Sequence, residues 1–251
     1  MRRLLVGYKT WREQNPLSDG MTLADLLHGY ITYPTIQLNL VLATLALAIS
    51  VVFARSSLLL LLIAAIAVVV YSIVEYVFHR FILHGRMLYR HKATAALWKR
   101  VHYDHHQNAG DWKVLFGDPR TTIPPILIIA IPPGYLIHGI AGAAFAVFCG
   151  IVLTSVYELF HFSQHVPYEP RNAYLRRLKK RHLAHHFHNE TGNFGITSHV
   201  WDLVFKTNYD GTREYPRSAT VRNLGYAGEE AQRFPWVMEL SADNTRTGHS
   251  P

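Results

Sequence analysis

Two long apolar blocks constrain the fold of this 251-residue chain more than any other feature. They lie at about residues 36–83 and 123–162, and the sequence outside them is polar. A soluble domain distributes its apolar residues over every element that faces the core, so this segregation predicts a membrane part joined to a polar part. Because a helix satisfies its own backbone hydrogen bonds in lipid, we expect an all-α membrane protein.

Four apolar runs within these blocks predict two helical hairpins. The first hairpin consists of Ile36–Ala54 and Ser57–Phe78, which the short connector Arg55-Ser56 joins. The second consists of Ile123–Ile137 and Ala141–Phe160. Two proline pairs in the third run predict that this helix is short and kinked. Four crossings return the chain to the side of the membrane on which it started.

The segments outside the hairpins are predicted to be cytosolic. Residues 22–30 carry leucines at helical spacing after Thr22, which favours a short amphipathic helix. We expect this helix at the membrane surface, and the same pattern equally fits a helix packed against a soluble part of the protein. We therefore expect three parts: a cytosolic N-terminal segment at 1–35, a membrane and cap domain at 36–206, and a loosely structured cytosolic tail at 207–251.

The distribution of charge predicts the orientation of the chain. Its net charge is +8, and among 25 Lys and Arg only Arg55 lies in a connector on the far side of the membrane. The others lie in 1–12, 80–120 and 171–246, which places both termini in the cytosol by the positive-inside rule. A basic surface that faces anionic lipid explains the charge, so no nucleic-acid partner is expected.

Ten of the sixteen histidines fall into four tight groups. The groups are His79 and His84; His102, His105 and His106; His161 and His165; and His182, His185 and His186. We expect His28, His138 and His249 to be ordinary surface or interfacial histidines, whereas His91, His188 and His199 fit either a surface role or a role beside the ligands.

Helix geometry assigns each group a capacity to bind metal. At about 100° per residue, the HxxHH motifs at 102–106 and 182–186 place three imidazoles on one face, but the adjacent pair diverges by about 100°. One such helix can thus serve two neighbouring metals. His161 and His165 are about 40° apart and can bind one metal together. His79 and His84 diverge on a regular helix, so we expect the helix to end or unwind before Gly85 and let both reach one ion.

The predicted topology brings all four groups to the cytosolic side, which indicates a metal site in a helical cap. Nitrogen ligands suit iron, zinc and copper. Neighbouring side chains are candidates for orienting the ligands from behind, and each of the carboxylates among them could equally be an ordinary interfacial charge. These candidates are Glu75, Tyr157, Glu158, His188 and Asp202, with Asp104 and Asp111 also close in sequence.

The order of these motifs resembles a known family. The motifs are Glu75-Tyr-Val-Phe-His79-Arg-Phe-Ile-Leu-His84, His102-Tyr-Asp-His-His106, Tyr157-Glu-Leu-Phe-His161, His182-Leu-Ala-His-His186, Asn193-Phe-Gly-Ile and Trp201-Asp-Leu-Val-Phe205. Together they resemble the fatty acid hydroxylase/sterol desaturase superfamily, most closely its fatty acid 2-hydroxylase branch, over about residues 70–206. The segments at 107–121 and 166–180 match that branch only loosely.

The resemblance implies a four-helix membrane domain under a cytosolic cap, with two metals and oxygen-dependent hydroxylation. By similarity, one metal would take His79, His84, His102, His106 and His185, and the other would take His105, His161, His165, His182 and His186. Members of the branch commonly carry a cytochrome b-type haem domain before the first span. About 35 residues precede the first span here, so we expect a separate cytochrome b-type or ferredoxin-type electron donor with its reductase.

These expectations lead to a working hypothesis for the chemistry. Attack on an unactivated C–H bond requires a redox-active metal pair and O2, so we expect two iron ions, although zinc can occupy the same ligands in isolated protein. The expected substrate is a lipid or fatty acyl chain, and the expected location is the endoplasmic reticulum of a eukaryote or the inner or plasma membrane of a bacterium. Alternatives are a sterol, carotenoid or amide-lipid hydroxylase or desaturase and, more distantly, a metal transporter.

Overall fold

The computed structural model describes residues 20–211 and 215–240, which form two compact units. The apolar unit contains residues 20–73 and 116–176, and the histidine unit contains 74–115, 177–211 and 215–240. Within these ranges the chain forms helices and no β-strand, apart from an isolated bridge between Met21 and Tyr168. The all-α fold class is therefore confirmed.

Eleven α-helices and two π-helical segments lie wholly within the described residues, and a further helical stretch occupies 236–240. The α-helices are α1 (Leu23–Ile31), α2 (Pro34–Phe53), α3 (Ser57–Val77), α4 (Met87–Arg90), α5 (Lys92–Trp98), α6 (Asp104–Gln107), α7 (Trp112–Leu115), α8 (Pro119–His165), α9 (Ala173–Phe187), α10 (Val200–Val204) and α11 (Glu229–Arg233). The π-helical segments are Phe78–Leu83 and Lys99–Tyr103. Three stretches among these are long and apolar enough to cross a membrane: Pro34–Phe53, Ser57–Leu83 and Trp112–His165.

The amphipathic helix predicted near the N-terminus is present as α1. The Thr22 hydroxyl accepts a hydrogen bond from the Asp25 N–H at 3.2 Å, and the Asp25 carboxylate accepts one from the Thr22 N–H at 3.0 Å. This reciprocal capping box satisfies two donors that the first turn leaves open. Leu26 is buried, whereas Leu23 and Ile31 are each 54% exposed. The helix has one packed and one open apolar face, and its location at a membrane surface remains a prediction.

The third and fourth apolar runs are contained in α8, which is interrupted once. Only His138 and Gly139 depart from helical φ and ψ, and Gly139 has φ of +56°. A Cβ built on Gly134 would lie 2.5 Å from the Gly142 carbonyl oxygen, and one on Gly150 would lie 2.7 Å from the Ile126 side chain. Both contacts pair a position before the break with one after it, in antiparallel register. The helix α8 is therefore a hairpin of two apolar arms.

The kink expected at the proline pairs of the third run stays a prediction. The backbone keeps helical φ and ψ through Pro124, Pro125, Pro132 and Pro133, and it departs from them only at His138 and Gly139. Helices in apolar surroundings tolerate proline where neighbouring helices and small local adjustments satisfy the freed carbonyls. Glycine is needed at 139 because its positive φ is a conformation that other residues rarely adopt.

The connectors of the two hairpins meet at one end of the apolar unit. The Arg55 N–H donates to Nε2 of His138 at 3.2 Å, which joins the α2–α3 connector to the break in α8. Farther along the same unit, the Thr35 hydroxyl donates to the Gly117 carbonyl at 3.2 Å, and the Asn39 amide donates to the Ser155 hydroxyl at 3.3 Å. The helix α2 thus packs along α8, and the Thr35 hydroxyl and the Asn39 amide group donate hydrogen bonds between the two elements rather than facing the apolar surroundings.

The core of the histidine unit includes residues from the segment expected to be a loose tail. Tyr89 and Trp98 pack against Tyr226 and Val237, and all four are buried. The indole N–H of Trp236 donates to the Tyr89 carbonyl at 2.8 Å. The described part of residues 207–240 therefore contributes buried side chains and a short helix, α11, to this unit.

The close approach of Gly134 and Gly142 predicts that Gly142→Ala destabilises the protein. Its new Cβ would lie 2.1 Å from a backbone oxygen, which cannot move aside as a flexible side chain does. Overpacking of this kind costs about 1–3 kcal/mol, so we expect a lower midpoint of thermal unfolding in detergent, measured by circular dichroism. Gly110→Ala is the matched control, since its Cβ would meet nothing within 4 Å. Equal midpoints for the two variants would contradict the hairpin packing.

Candidate metal centre

A π-helical turn brings His79 and His84 together. The His84 N–H donates to the His79 carbonyl five residues earlier, at 3.1 Å, where an α-helix would bond four residues back. The two ring centroids are 5.0 Å apart. The helix ends before Gly85 as expected, with His84 as its C-cap. The feature that the sequence did not predict is the widened turn over Phe78–Leu83, which places residues five apart on one side of the helix.

A second π-helical segment precedes the first HxxHH motif. The Asp104 N–H donates to the Lys99 carbonyl, and regular α-helix resumes only at Asp104. The assumption of uniform helical spacing is therefore wrong for His102, yet His102 and His106 still lie close, with ring centroids 4.7 Å apart. His105 and His106 lie in the regular helix α6, and their rings diverge at an interplanar angle of 78°.

Five histidines of the histidine unit form one compact set of ligand atoms. Each ring offers one nitrogen, and these nitrogens all lie within 4.8 Å of one another. Opposite imidazole nitrogens around one ion are separated by about 4.2 Å, since metal–nitrogen bonds are about 2.0–2.1 Å long. The set has the size of a single-ion shell and the donors that iron, zinc and copper accept. Its members are His79, His84, His102, His106 and His185.

Backbone carbonyls fix the tautomers of three of these rings. Nδ1 of His79 lies 2.5 Å from the Phe194 carbonyl oxygen, and Nδ1 of His185 lies 2.8 Å from that of Gly192. Nδ1 of His106 lies 3.1 Å from the Val221 carbonyl oxygen. A carbonyl only accepts, so each Nδ1 carries the proton and each Nε2 keeps a lone pair for a metal.

The segment that provides two of these carbonyls is held in place by two carboxylates. Asp202 accepts the N–H groups of Phe194 and Gly195 at 2.9 and 2.8 Å. Glu75 accepts the N–H groups of Ile196 and Thr197, each at 2.8 Å. Both carboxylates were expected beside the imidazoles. Their hydrogen bonds instead go to the backbone that holds His79, so they act on the ligand through the peptide chain.

The other candidates named from the sequence have different neighbours. In the apolar unit, the Tyr157 ring lies 5.7 Å from that of His161, and Glu158 accepts the Gly117 N–H at 2.9 Å. In the histidine unit, Nε2 of His188 donates to the Tyr215 carbonyl at 2.7 Å. Asp104 pairs with Lys99 at 2.6 Å, and Asp111 accepts the Lys113 N–H at 2.9 Å.

The remaining ligand candidates also cluster within their own units. In the histidine unit, the ring of His186 lies 4.5 Å from that of His105 and 4.6 Å from that of His182. In the apolar unit, the rings of His161 and His165 are 4.8 Å apart. These separations fit ligands that bind in pairs. The assignment of all five to one second metal remains a prediction.

The electrostatics of the set favour metal over protons. Desolvation is the largest influence on His84 and His102, and together with the neighbouring imidazoles it lowers the pKa of both well below the usual 6.5. Both rings are thus neutral at physiological pH, and their Nε2 atoms lie 2.8 Å apart. Neutral imidazoles are the form that ligates metals.

A metal-binding membrane protein is the class that this helical fold and histidine set define. The model of the fatty acid hydroxylase family matches residues 64–207, and the chain belongs to that family. Among curated relatives, the chain is 32% identical over 154 residues to the dihydroceramide fatty acyl 2-hydroxylase FAH2 of Arabidopsis thaliana, covering 58% of this chain and 60% of the relative.

Other comparisons agree with this assignment. The ceramide very long chain fatty acid hydroxylase scs7 of Schizosaccharomyces pombe is 35% identical over 150 residues, covering 55% of this chain and 39% of the relative. A solved structure described as full-length scs7p, in which only the hydroxylase domain is visible, has 25% sequence identity and a TM-score of 0.60. The match covers 76% of this chain and 68% of that one. The chain spans 36–60% of the length of the curated relatives it matches.

The position of Asp202 predicts that Asp202→Asn weakens metal binding without unfolding the protein. The amide offers one acceptor oxygen where the carboxylate has two, so a backbone N–H of the 194–195 peptide loses its partner and the carbonyl that holds His79 shifts. Loss of such a partner costs about 10–100-fold in metal affinity, measurable by competition with a chelator. The matched control is Asp104→Asn, which lies between ligand histidines but pairs only with Lys99. Equal affinities for the two variants would contradict this role.

Proposed function

We propose that this protein is a membrane-bound lipid hydroxylase that uses two iron ions and O2 to insert oxygen into a C–H bond of an acyl chain, with 2-hydroxylation the favoured reaction. The observation that carries this proposal is the set of five imidazoles, three of them held in the metal-binding tautomer by backbone carbonyls. The names of the curated relatives support the acyl substrate and the position of attack.

Redox chemistry is the reason for preferring iron. A bound iron pair supplies O2 activation, which zinc does not, although both metals accept nitrogen ligands. The overall reaction converts a C–H bond, O2, two electrons and two protons into a C–OH group and water. The electrons come from a separate cytochrome b-type or ferredoxin-type protein and its reductase.

The side chains of this protein have three tasks in the proposed reaction. His79, His84, His102, His106 and His185 hold one ion, and backbone carbonyls keep three of these rings in the tautomer that binds a metal through Nε2. We assign the second ion to His105, His161, His165, His182 and His186, on the basis of their spacing in the sequence and of the family resemblance. The apolar helices admit the acyl chain from the bilayer.

The proposed topology follows from the charges and the hairpins. Four apolar arms, two of them in α8, cross the membrane and leave both termini in the cytosol. Arg55 and His138, which are hydrogen-bonded to each other, would then lie on the far side. In this arrangement residues 1–35 and 207–251 are cytosolic, and 36–206 form the membrane and cap domain. The membrane would be the endoplasmic reticulum in a eukaryote and the inner or plasma membrane in a bacterium.

Purified, iron-loaded protein with an electron-donor system, mixed lipids and ¹⁸O2 tests the activity. We expect one ¹⁸O atom at carbon 2 of an acyl chain, detected by mass spectrometry. His185→Ala, which removes a ligand, should reduce turnover by at least about 100-fold, whereas His28→Ala should not. A product that carries ¹⁸O on a sterol or carotenoid ring would show that the substrate is not the proposed acyl chain. Absence of any oxidised lipid with full iron occupancy would overturn the proposal.

Metal stoichiometry tests the two-ion assignment separately. We expect about two iron ions per chain in the native protein and about one in His161→Ala, because the ligand set predicted for the second ion loses one member of the His161–His165 pair. Elemental analysis of protein purified in parallel measures this ratio. His28→Ala, which changes a histidine outside the four groups, should keep two. One ion per chain in both native protein and His161→Ala would contradict the second site.

A further inference from the structure

The short helix α10, together with Phe205, has two chemically different sides. Its inward side carries Asp202, which is buried and holds the 194–195 backbone. Its outward side carries only apolar groups: Val200, Leu203 and Val204 are 52%, 51% and 59% exposed, and Phe205 is 47% exposed. Four large apolar side chains side by side on a polar unit form a patch of the kind that marks a contact with another apolar phase.

This patch is continuous with the end of an apolar helix long enough to cross a membrane. The last six residues of the stretch Ser57–Leu83 include Phe78 and Phe81, which are 39% and 49% exposed. The Tyr76 ring stacks on that of Phe205 at 5.2 Å and 9°. The Arg80 guanidinium lies 4.8 Å from the Phe81 ring and 5.7 Å from the Phe205 ring. The outward side of α10 and the end of the apolar helix thus form one surface.

The charged groups at the edge of this surface suit a lipid headgroup layer. Arg80 lies among aromatic rings, and its guanidinium donates to the Tyr76 hydroxyl at 2.9 Å. Lys206 follows Phe205 and is exposed. The one acidic residue in Val200–Lys206 is Asp202, which faces inward. Apolar and aromatic groups bordered by cations are typical of the membrane–water interface, where long basic side chains reach toward phosphates.

We propose that the outward side of Val200–Phe205 lies in the lipid bilayer, at the boundary between headgroups and acyl chains. The same helix then connects the bilayer to the metal-ligand segment, because Asp202 on its inner side holds the peptide that orients His79. Lipid contact at α10 is a different property from hydroxylation. Lipid contact can be measured in protein that is not turning over substrate. A failure of the lipid-contact proposal is therefore distinguishable from a failure of the proposed hydroxylase function.

Depth-dependent quenching tests this contact. The chain has one cysteine, so Cys149→Ala provides a background in which Val204→Cys or Leu203→Cys takes an environment-sensitive fluorophore. The protein is reconstituted in vesicles of phosphatidylcholine with phosphatidylglycerol. We expect strong quenching by a nitroxide on a shallow acyl carbon and several-fold weaker quenching by aqueous iodide than at a control label. Glu229→Cys is that control, since Glu229 is exposed on the polar helix α11.

The outcomes separate the lipid from other occupants of the surface. Iodide quenching at 203 and 204 equal to that at 229 would overturn the proposal, because the patch would then face water. Protection of both labels from iodide and from the lipid nitroxide would also overturn it, since protein would then cover the patch. Using two labelled positions ensures that one poorly tolerated label does not decide the result.

Discussion

An imidazole can ligate a metal through Nε2 only while Nδ1 keeps the proton, and in this protein backbone carbonyls enforce that condition. His79, His106 and His185 each direct Nδ1 at such a carbonyl. The hydrogen bond also fixes the rotation of the ring, so the direction of each lone pair is set before a metal arrives. Ordering mobile imidazoles when a metal binds would cost side-chain entropy and weaken metal binding. Here that entropy is lost when the protein folds, before the metal binds.

The carbonyls of Gly192 and Phe194 point at their histidines because close backbone contacts and hydrogen bonds hold the segment that carries them. Gly195 allows its backbone to approach Ser198 so closely that a Cβ would lie 1.9 Å from the Ser198 oxygen, and Gly192 approaches Thr207 to 2.5 Å by the same measure. Asp202 accepts from this segment and from the Thr207 hydroxyl, which places three donors on one buried carboxylate. A buried charge with several donors is far less costly than an unpaired one. The network therefore stabilises a loop that has no regular secondary structure.

The sequence was sufficient to predict what side-chain chemistry and periodicity encode. Apolar runs predicted the helices, and the two runs within α8 predicted its break near His138. Histidine spacing predicted that the adjacent rings of His105 and His106 diverge, whereas the membership of the first set was implied by the family resemblance. The carbonyls of Gly192, Phe194 and Val221 could not be predicted, since every residue has a carbonyl and only the fold selects three of them. The packing of Tyr226 and Val237 was also missed, because irregular segments have no period to reveal which side chains are buried.

The two π-helical segments explain how histidines five apart, or spread across a change in helix type, can still share an ion. A π turn accommodates one more residue than an α turn, so it rotates everything after it relative to a regular helix. Without the turn at Phe78–Leu83, His84 would lie about 140° around the helix from His79 at 100° per residue. The His84–His79 backbone hydrogen bond shows that the extra residue is absorbed in the helix rather than by a loop. The ligand therefore stays on a rigid element, which a metal site needs if its geometry is to be fixed in advance.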